Sequence, residues 1–425
     1  MIGAIIWICL IGFMFIGVPI AFSMGISATI MLLVNHTATS VVIAQKAVNA
    51  LDSFTIMAIP FFMMASSILS GADVGKKIFR FAGTLVQHLP GGLAHVNILT
   101  SMIMAGMSGS SVSDVSGIGK MEMDAMTEAG YDKGFSAAVT AASSTVAPII
   151  PPSTSMILYG SITGVSIGKL LIGGLLPGLL MGLAMGVIAY VISVRRHYPL
   201  QERASGKAIR ASFKDSFAAL MMPVILIAGI LSGVFTATEA ACVATVYSIL
   251  ISLFWYRTIN FKQLFKILEN TSTFASSTLF VLAMAGVFGL VLTHNQVPTK
   301  ICNFFLSLSN NKYVLLFLVN VMLLILGCLM EGNSIYMILG PVLGVLAIQL
   351  GCDPVAFGVM VVFNLTLGLI TPPVGLCLFL TQKVAGITSQ EMIKSIVPFV
   401  IALIVSLLII TYIPQICSLL PNLLM

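Results

Sequence analysis

The sequence predicts an all-α polytopic membrane protein built from two inverted-topology repeats. Three observations carry that prediction. Only 34 of the 425 residues are charged, 8% of the chain, against about 25% in soluble proteins. Apolar stretches are long and continuous, with 58% hydrophobic residues and a mean hydropathy of +1.09. Gly, Pro and Asp landmarks of the first half recur in the second at an unchanged offset of 221 positions.

The charge count excludes a soluble domain, which needs a polar surface, and the apolar content excludes disorder. A β-barrel is excluded because the apolar segments do not alternate at period two. The net charge of +6 sits in short loops, where it reads as topology and not as a nucleic-acid surface. The seven cysteines form no CxxC pair and lie mostly in apolar stretches, where a thiol behaves as a small hydrophobe. Met1 to Val18 lacks a basic n-region and a cleavage site, so it reads as a first span and not a signal peptide.

A span needs about 20 apolar residues. Ten full crossings are expected, at 2–18, 20–35, 53–70, 134–168, 170–194, 216–235, 238–256, 270–293, 352–382 and 395–417. The crossings at 134–168 and 352–382 are overlong and carry prolines mid-span, so both are expected to be broken. Stretches 92–127 and 313–350 have small and polar centres and are expected to be re-entrant hairpins. The polar run Arg195 to Asp215 is a linker.

The offset of 221 carries Gly106 onto Gly327, Asp132 onto Asp353, and Pro151-Pro152 onto Pro372-Pro373. The chain thus divides into a repeat at 1–194, a cytoplasmic linker at 195–215 and a repeat at 216–425. Five crossings per repeat is odd, so the second repeat starts on the opposite side of the bilayer, the inverted arrangement common in secondary transporters. With the linker placed in the cytoplasm, 16 Lys and Arg residues fall inside and four outside; ten of the 16 do not depend on that placement. Both termini then lie outside, a side that the family resemblance given below makes the periplasm. The polar segments 73–90 and 295–311 are either interfacial helices or plain loops.

Two tips and two breaks carry the chemistry. The first tip reads Ser108-Gly109-Ser110-Ser111-Val112-Ser113-Asp114, and the second Met330-Glu331-Gly332-Asn333-Ser334. Non-helical backbone inside a bilayer survives only where protein, water or an ion satisfies it. Its carbonyls and hydroxyls are hard oxygen ligands suited to Na⁺. The breaks read Thr145 to Thr154, with Pro148, Pro151, Pro152 and Ser153, and Asn364 to Gly375, with Thr366, Thr371, Pro372, Pro373 and Val374. Each break ends one half-helix and starts another, offering carbonyls to a cation and a positive N-terminus to an anion.

Asp114 and Glu331 either ligate Na⁺ or cap the following helices. Glu239, Asp132 and Asp353 read as caps. No Lys or Arg lies near the breaks, so an anion there must be held by helix ends, hydroxyls, amides and sodium. His and Cys do not cluster, leaving transition-metal chemistry without ligands. GxSxG, HExxH and P-loop patterns are missing, which argues against an enzyme and against ATP.

The Gly-Ser-Ser tip, Ala147-Pro148-Ile149-Ile150-Pro151-Pro152-Ser153, the segment Gly233 to Ala241, and Gly368-Leu369-Ile370-Thr371-Pro372-Pro373-Val374-Gly375 resemble the large membrane subunit of tripartite ATP-independent periplasmic (TRAP) transporters. The resemblance covers nearly the whole chain. Ala237 departs from it, since the family more often has Pro there.

The resemblance implies an elevator-type, Na⁺-coupled importer of an organic acid in the bacterial inner membrane, without ATP or an organic cofactor. Sialic acids, C4-dicarboxylates and sugar acids are candidate substrates. It implies two or more Na⁺ sites, drawing on Ser110, Ser111, Ser113, Pro148, Pro151, Glu331, Gly332, Asn333, Asn364, Thr366, Thr371 and Gly375. Substrate contacts are expected from Ser111, Asp114, Pro152, Ser153, Thr154, Asn333, Pro373, Val374 and Gly375. The implied partners are a periplasmic binding protein and a small four-helix membrane subunit. The chain opens directly on its first span, so that subunit is expected to be a separate polypeptide. A stand-alone Na⁺-coupled dicarboxylate or citrate symporter shares the same tips and breaks and is the rival reading.

Overall fold

The computed structural model describes residues 2–34, 39–309, 311–372 and 375–425, and every regular element among them is helical. Helices α1 (Ile2–Phe15) and α2 (Ile20–Val34) are followed by α3 (Ser40–Asn49), which hydropathy did not mark. Next, α4 (Ala58–Gly71) bends by 73° into α5 (Val74–Val86). The first predicted hairpin is α6 (Gly92–Ser108), then α7 (Ser111–Asp114), a π-helical turn (Val115–Gly119) and α8 (Lys120–Glu128). The first broken span is α9 (Lys133–Ser144) and α10 (Thr154–Thr163), and α11 (Ile167–Gly173) leads into α12 (Leu175–Arg196).

Beyond the linker come α13 (Gly206–Leu231), α14 (Ala237–Leu250) with a second π turn (Ile251–Trp255), α15 (Phe261–His294) and α16 (Val297–Leu308). The second hairpin is α17 (Lys312–Leu329) and α18 (Gly332–Gln349), and the second broken span is α19 (Pro354–Gly368) and α20 (Leu376–Ala385). The chain closes with α21 (Ser389–Tyr412) and α22 (Gln415–Leu424).

Among the described residues, seven helices are long and apolar enough to cross a membrane, or eight if bent α4–α5 counts as one span. Five of the ten expected crossings fall short: α1 and α2, at 14 and 15 residues, bent α4, and the two broken spans. The α9/α10 and α19/α20 halves are 12, 10, 15 and 10 residues, too short to cross singly. Conversely, α17 and α18, expected as hairpin arms, are each long and apolar enough on their own.

Helix starts also fall earlier than hydropathy places them. Ser205 Oγ accepts the Ala208 N–H and starts α13 within the charged linker. An Asn260–Gln263 capping box starts α15. Hydropathy marks the apolar core of a helix, and caps mark its first turn. The two polar segments left open between helix and loop are both helical, as α5 and α16. On α5, Val74, Ile78 and Ala82 are buried while Lys76 and Arg80 are exposed.

The matching elements begin 221 residues apart: α7 at Ser111 and α18 at Gly332, α9 at Lys133 and α19 at Pro354. Packing between the halves is crossed. Helix α10 lies on α18, and α20 lies on α7, its π turn and α8. A second group packs α4 on α14 and α15, and α2 on α15. Large apolar side chains such as Phe15, Leu183, Phe265 and Ile348 stand exposed, which only a lipid-covered surface tolerates in such number.

Candidate functional site

The two tips meet the two breaks. At the first tip α6 ends at Ser108, Gly109 takes φ +59°, and Ser110 is extended before α7 begins. A Cβ on Gly109 would strike the Pro152 carbonyl oxygen, so the tip is pressed on the first break. Thr154 Oγ1 donates to the Gly109 carbonyl at 3.1 Å across the same contact. Ser153 closes its own loop: its Oγ accepts the Met156 N–H and donates to the Pro148 carbonyl.

The second pair is built alike. Met330 and Glu331 are extended between α17 and α18, and Asn333 Nδ2 donates to Glu331 Oε1 at 3.0 Å. A Cβ on Gly368 would collide with the Gly327 backbone, so arm and break touch main chain to main chain. Within the break, Thr371 Oγ1 donates to the Leu367 carbonyl, and the Leu369 carbonyl accepts the N–H groups of Cys377 and Leu378.

Between the tips lies a cavity of about 60 Å³. Of the residues singled out from sequence, Ser110, Ser111, Pro148, Thr154, Glu331, Gly332, Asn333 and Thr366 line it together. Its wall includes the first residues of four helices: Ser111 of α7, Thr154 of α10, Gly332 of α18 and Leu376 of α20. Helix N-termini carry partial positive charge and free N–H groups. Among the described residues, Glu331 is the one charged side chain in the wall.

Other candidates are placed elsewhere. Pro151, Pro152, Ser153, Thr371 and Gly375 shape the breaks without lining the cavity. Ser113 and Asp114 line a separate small cavity against α4. Pro373 and Val374 lie outside the described residues. Asn364 is fully buried; its Nδ2 donates to Asn320 Oδ1 at 2.7 Å and its own Oδ1 has no partner. Ser111 Oγ, in a residue 2% exposed, has no partner either. Three wall residues went unmarked in the sequence, Ser155, Tyr336 and Leu376. Tyr336 was legible as Gly332 plus four, one helical turn along the same face.

The donors around the tips are hydroxyl, amide and carboxylate oxygens, with backbone carbonyls. Such a set fits a hard cation such as Na⁺ and offers a soft metal neither thiolate nor imidazole.

Residues 7–416 match the family described as "Tripartite ATP-independent periplasmic transporter, DctM component". The chain belongs to this family. The permease is 36% identical over 425 residues to the sialic acid TRAP transporter large permease protein SiaM of Vibrio cholerae, covering 100% of this chain and 99% of that one. It is 37% identical over 400 residues to the C4-dicarboxylate TRAP transporter large permease protein DctM of Pseudomonas aeruginosa, covering 94% of each. Its fold is similar to the crystal structure of the Alcanivorax borkumensis YdaH transporter, at TM-score 0.62 and 15% identity over 87% of this chain and 86% of that one. It is thus a large permease subunit of a TRAP transporter and a multi-pass protein of the inner membrane.

The acids expected to cap helices divide in this permease. Asp353 accepts the Val355 and Ala356 N–H groups and caps α19. Glu239 forms a capping box with Thr236 at the start of α14. Asp132 stands at the cap position of α9 but does not cap. Its Oδ2 takes the Tyr198 hydroxyl and the Arg196 guanidinium, the latter at 2.6 Å. Those partners, Tyr198 foremost, hold its carboxyl below the usual range. Asp114 and Glu331 make no cap hydrogen bond.

Proposed function

We propose that the permease imports a small organic-acid anion by Na⁺ symport, with the tips and breaks holding substrate and ions together. One observation supports this most. Four helix N-termini and the partnerless Ser111 Oγ line one cavity whose wall, among the described residues, has no Lys, Arg or His. The helix ends favour a carboxylate, and the free Ser111 oxygen in the wall, with the free Asn364 oxygen behind wall residue Leu365, favours Na⁺ beside it. The V. cholerae and P. aeruginosa relatives are named for sialic acid and C4-dicarboxylates; an organic-acid anion is common to both.

The two repeats of inverted topology, 1–194 and 216–425, make the transport unit, with both termini periplasmic. Hairpins and broken spans form a core that moves, elevator fashion, against the group around α4, α14 and α15. The crossed packing of α10 on α18 and of α20 on the α7–α8 arm supports a two-fold relation between repeats. A periplasmic binding protein delivers the substrate, and a small membrane subunit pairs with the large one.

The test is uptake of labelled sialic acid or C4-dicarboxylate by proteoliposomes holding the permease, the small subunit and the binding protein. Uptake is expected with an inward Na⁺ gradient and only with all three components. Uptake that persists with K⁺ replacing all Na⁺ contradicts the coupling.

A further inference from the structure

One corner of the first repeat is filled by its own chain. Tyr198, just after α12, lays its ring against Tyr131 at 4.4 Å and Phe135 at 5.3 Å. Its hydroxyl and the Arg196 guanidinium both donate to Asp132 Oδ2.

The second repeat keeps the acid and loses the rings. At the offset of 221, Asp132 corresponds to Asp353, Tyr131 to Cys352, Phe135 to Ala356, Arg196 to Cys417 and Tyr198 to Leu419. Leu419 lies on α22 and is 50% exposed. A cavity of about 160 Å³ opens at this corner, lined by Cys352, Asp353 and Ala356 and by residues of α17 and α21. A cavity of about 150 Å³ admits a benzene ring. The floor is buried, at Ala356, Phe357 and Met360, while Tyr313 and Tyr412 stand exposed at the rim with their rings 5.9 Å apart.

The polar groups match the first repeat too. Asp353 Oδ1 accepts both cap N–H groups. That leaves Oδ2, the oxygen that Asp132 gives to Tyr198, to accept from something else. Lys312 shares the rim, and its Nζ donates to the Gly351 carbonyl at 2.8 Å. A guanidinium entering here meets that positive charge, whereas a phenol does not.

We propose that this cavity receives a tyrosine side chain of the periplasmic binding protein, supplying from outside the ring that Tyr198 supplies from within. The partner rests on the inverted topology and on the delivery proposed above: Arg196 opens the cytoplasmic linker, so the inverted counterpart of its corner faces the periplasm. Aromatic side chains seated in pockets are the usual anchors of protein interfaces. The cavity belongs to α17, α19 and α21, which pack on one another. Helices α17 and α19 end at the second tip and the second break. A binding protein anchored here therefore holds the group that carries the tip cavity.

The test is labelling of the half-buried Cys352 by a membrane-impermeant maleimide, read by peptide mass spectrometry. Right-side-out vesicles holding the permease and the small subunit are used. Binding protein at about ten times its Kd is expected to slow the labelling about tenfold. Equal labelling with and without it overturns the proposal, as does labelling seen only in inside-out vesicles or already blocked by the small subunit alone. Ala356→Phe restores the ring of the first repeat and fills the cavity. It is expected to raise the binding-protein concentration for half-maximal uptake by about tenfold or more, with the half-maximal Na⁺ concentration unchanged. An unchanged binding-protein requirement in folded Ala356→Phe overturns the proposal; should that variant not fold, the wild-type labelling decides. Alanine replacement of the binding protein's surface tyrosines, one at a time, is expected to end the protection at one position, and protection that survives every replacement overturns it. Uptake that needs no binding protein would remove the delivery reading, whereas uptake that needs it while Cys352 stays unprotected removes this docking site alone.

Discussion

Asn364 donates its side-chain N–H to Asn320 Oδ1 at 2.7 Å and keeps its own Oδ1 buried and partnerless. The amide is thereby oriented: its nitrogen faces α17 and its oxygen is left for something else. An amide fixed in this way can present an acceptor to a cation without reorganising. The first repeat has Ser143 at the equivalent place (143 + 221 = 364). Ser143 Oγ is paired, donating to Asn97 Oδ1 at 2.7 Å.

Asn320→Ala should therefore act on stability first. It removes one of the two hydrogen bonds of the buried Asn364 Nδ2, which keeps only the residue-320 carbonyl at 3.0 Å, at a cost of about 1–3 kcal/mol. Thermal unfolding in detergent should show a lower midpoint, and a wild-type midpoint would show that the pair does not orient Asn364.

Gly368 and Gly327 allow two main chains to touch at the second tip. Gly368→Ala should cost about 1–3 kcal/mol or more through overpacking and should reduce uptake. Gly289→Ala is the control, since a Cβ there meets nothing within 4 Å. Equal thermal midpoints for the two variants would contradict the close approach.

The Asp132–Arg196–Tyr198 cluster fastens the start of the linker to the start of α9. The Asp132 carboxyl is held below its ordinary value of 3.8. Its contribution is therefore present above that value and lost as pH falls through the lowered one. The pair is exposed, so about 0–1 kcal/mol is expected. Asp132→Asn should lower the unfolding midpoint slightly at pH 7, with the gap closing below about pH 4. A gap independent of pH would assign the effect to packing, through the ring of Tyr198 on Tyr131 at 4.4 Å.

Both tips and both breaks were legible in the sequence because Gly and Pro restrict backbone geometry locally. The break at Pro148 to Ser153 and the turn at Gly109 fall where those residues stand. Side-chain direction was not legible, because it depends on distant partners. Asp353 caps its helix as its position suggests, while the equivalent Asp132 is drawn away by Arg196, 64 residues on. Asp114 sits three residues from Ser111, yet it faces α4 while Ser111 faces the tip cavity. Nothing local specifies where α4 lies. The helical starts of α13 and α15 were hidden for a different reason: their first turns are polar and held by caps.

The central claim is that partnerless oxygens at the tips hold the sodium that drives uptake, and Ser111 tests it most directly. The measurement is the Na⁺ concentration giving half-maximal uptake by proteoliposomes of the assembled transporter, for wild type and Ser111→Ala. Loss of one buried oxygen ligand should raise that concentration by about tenfold or more, with expression and thermal midpoint retained. The same half-maximal concentration in both proteins would contradict the account.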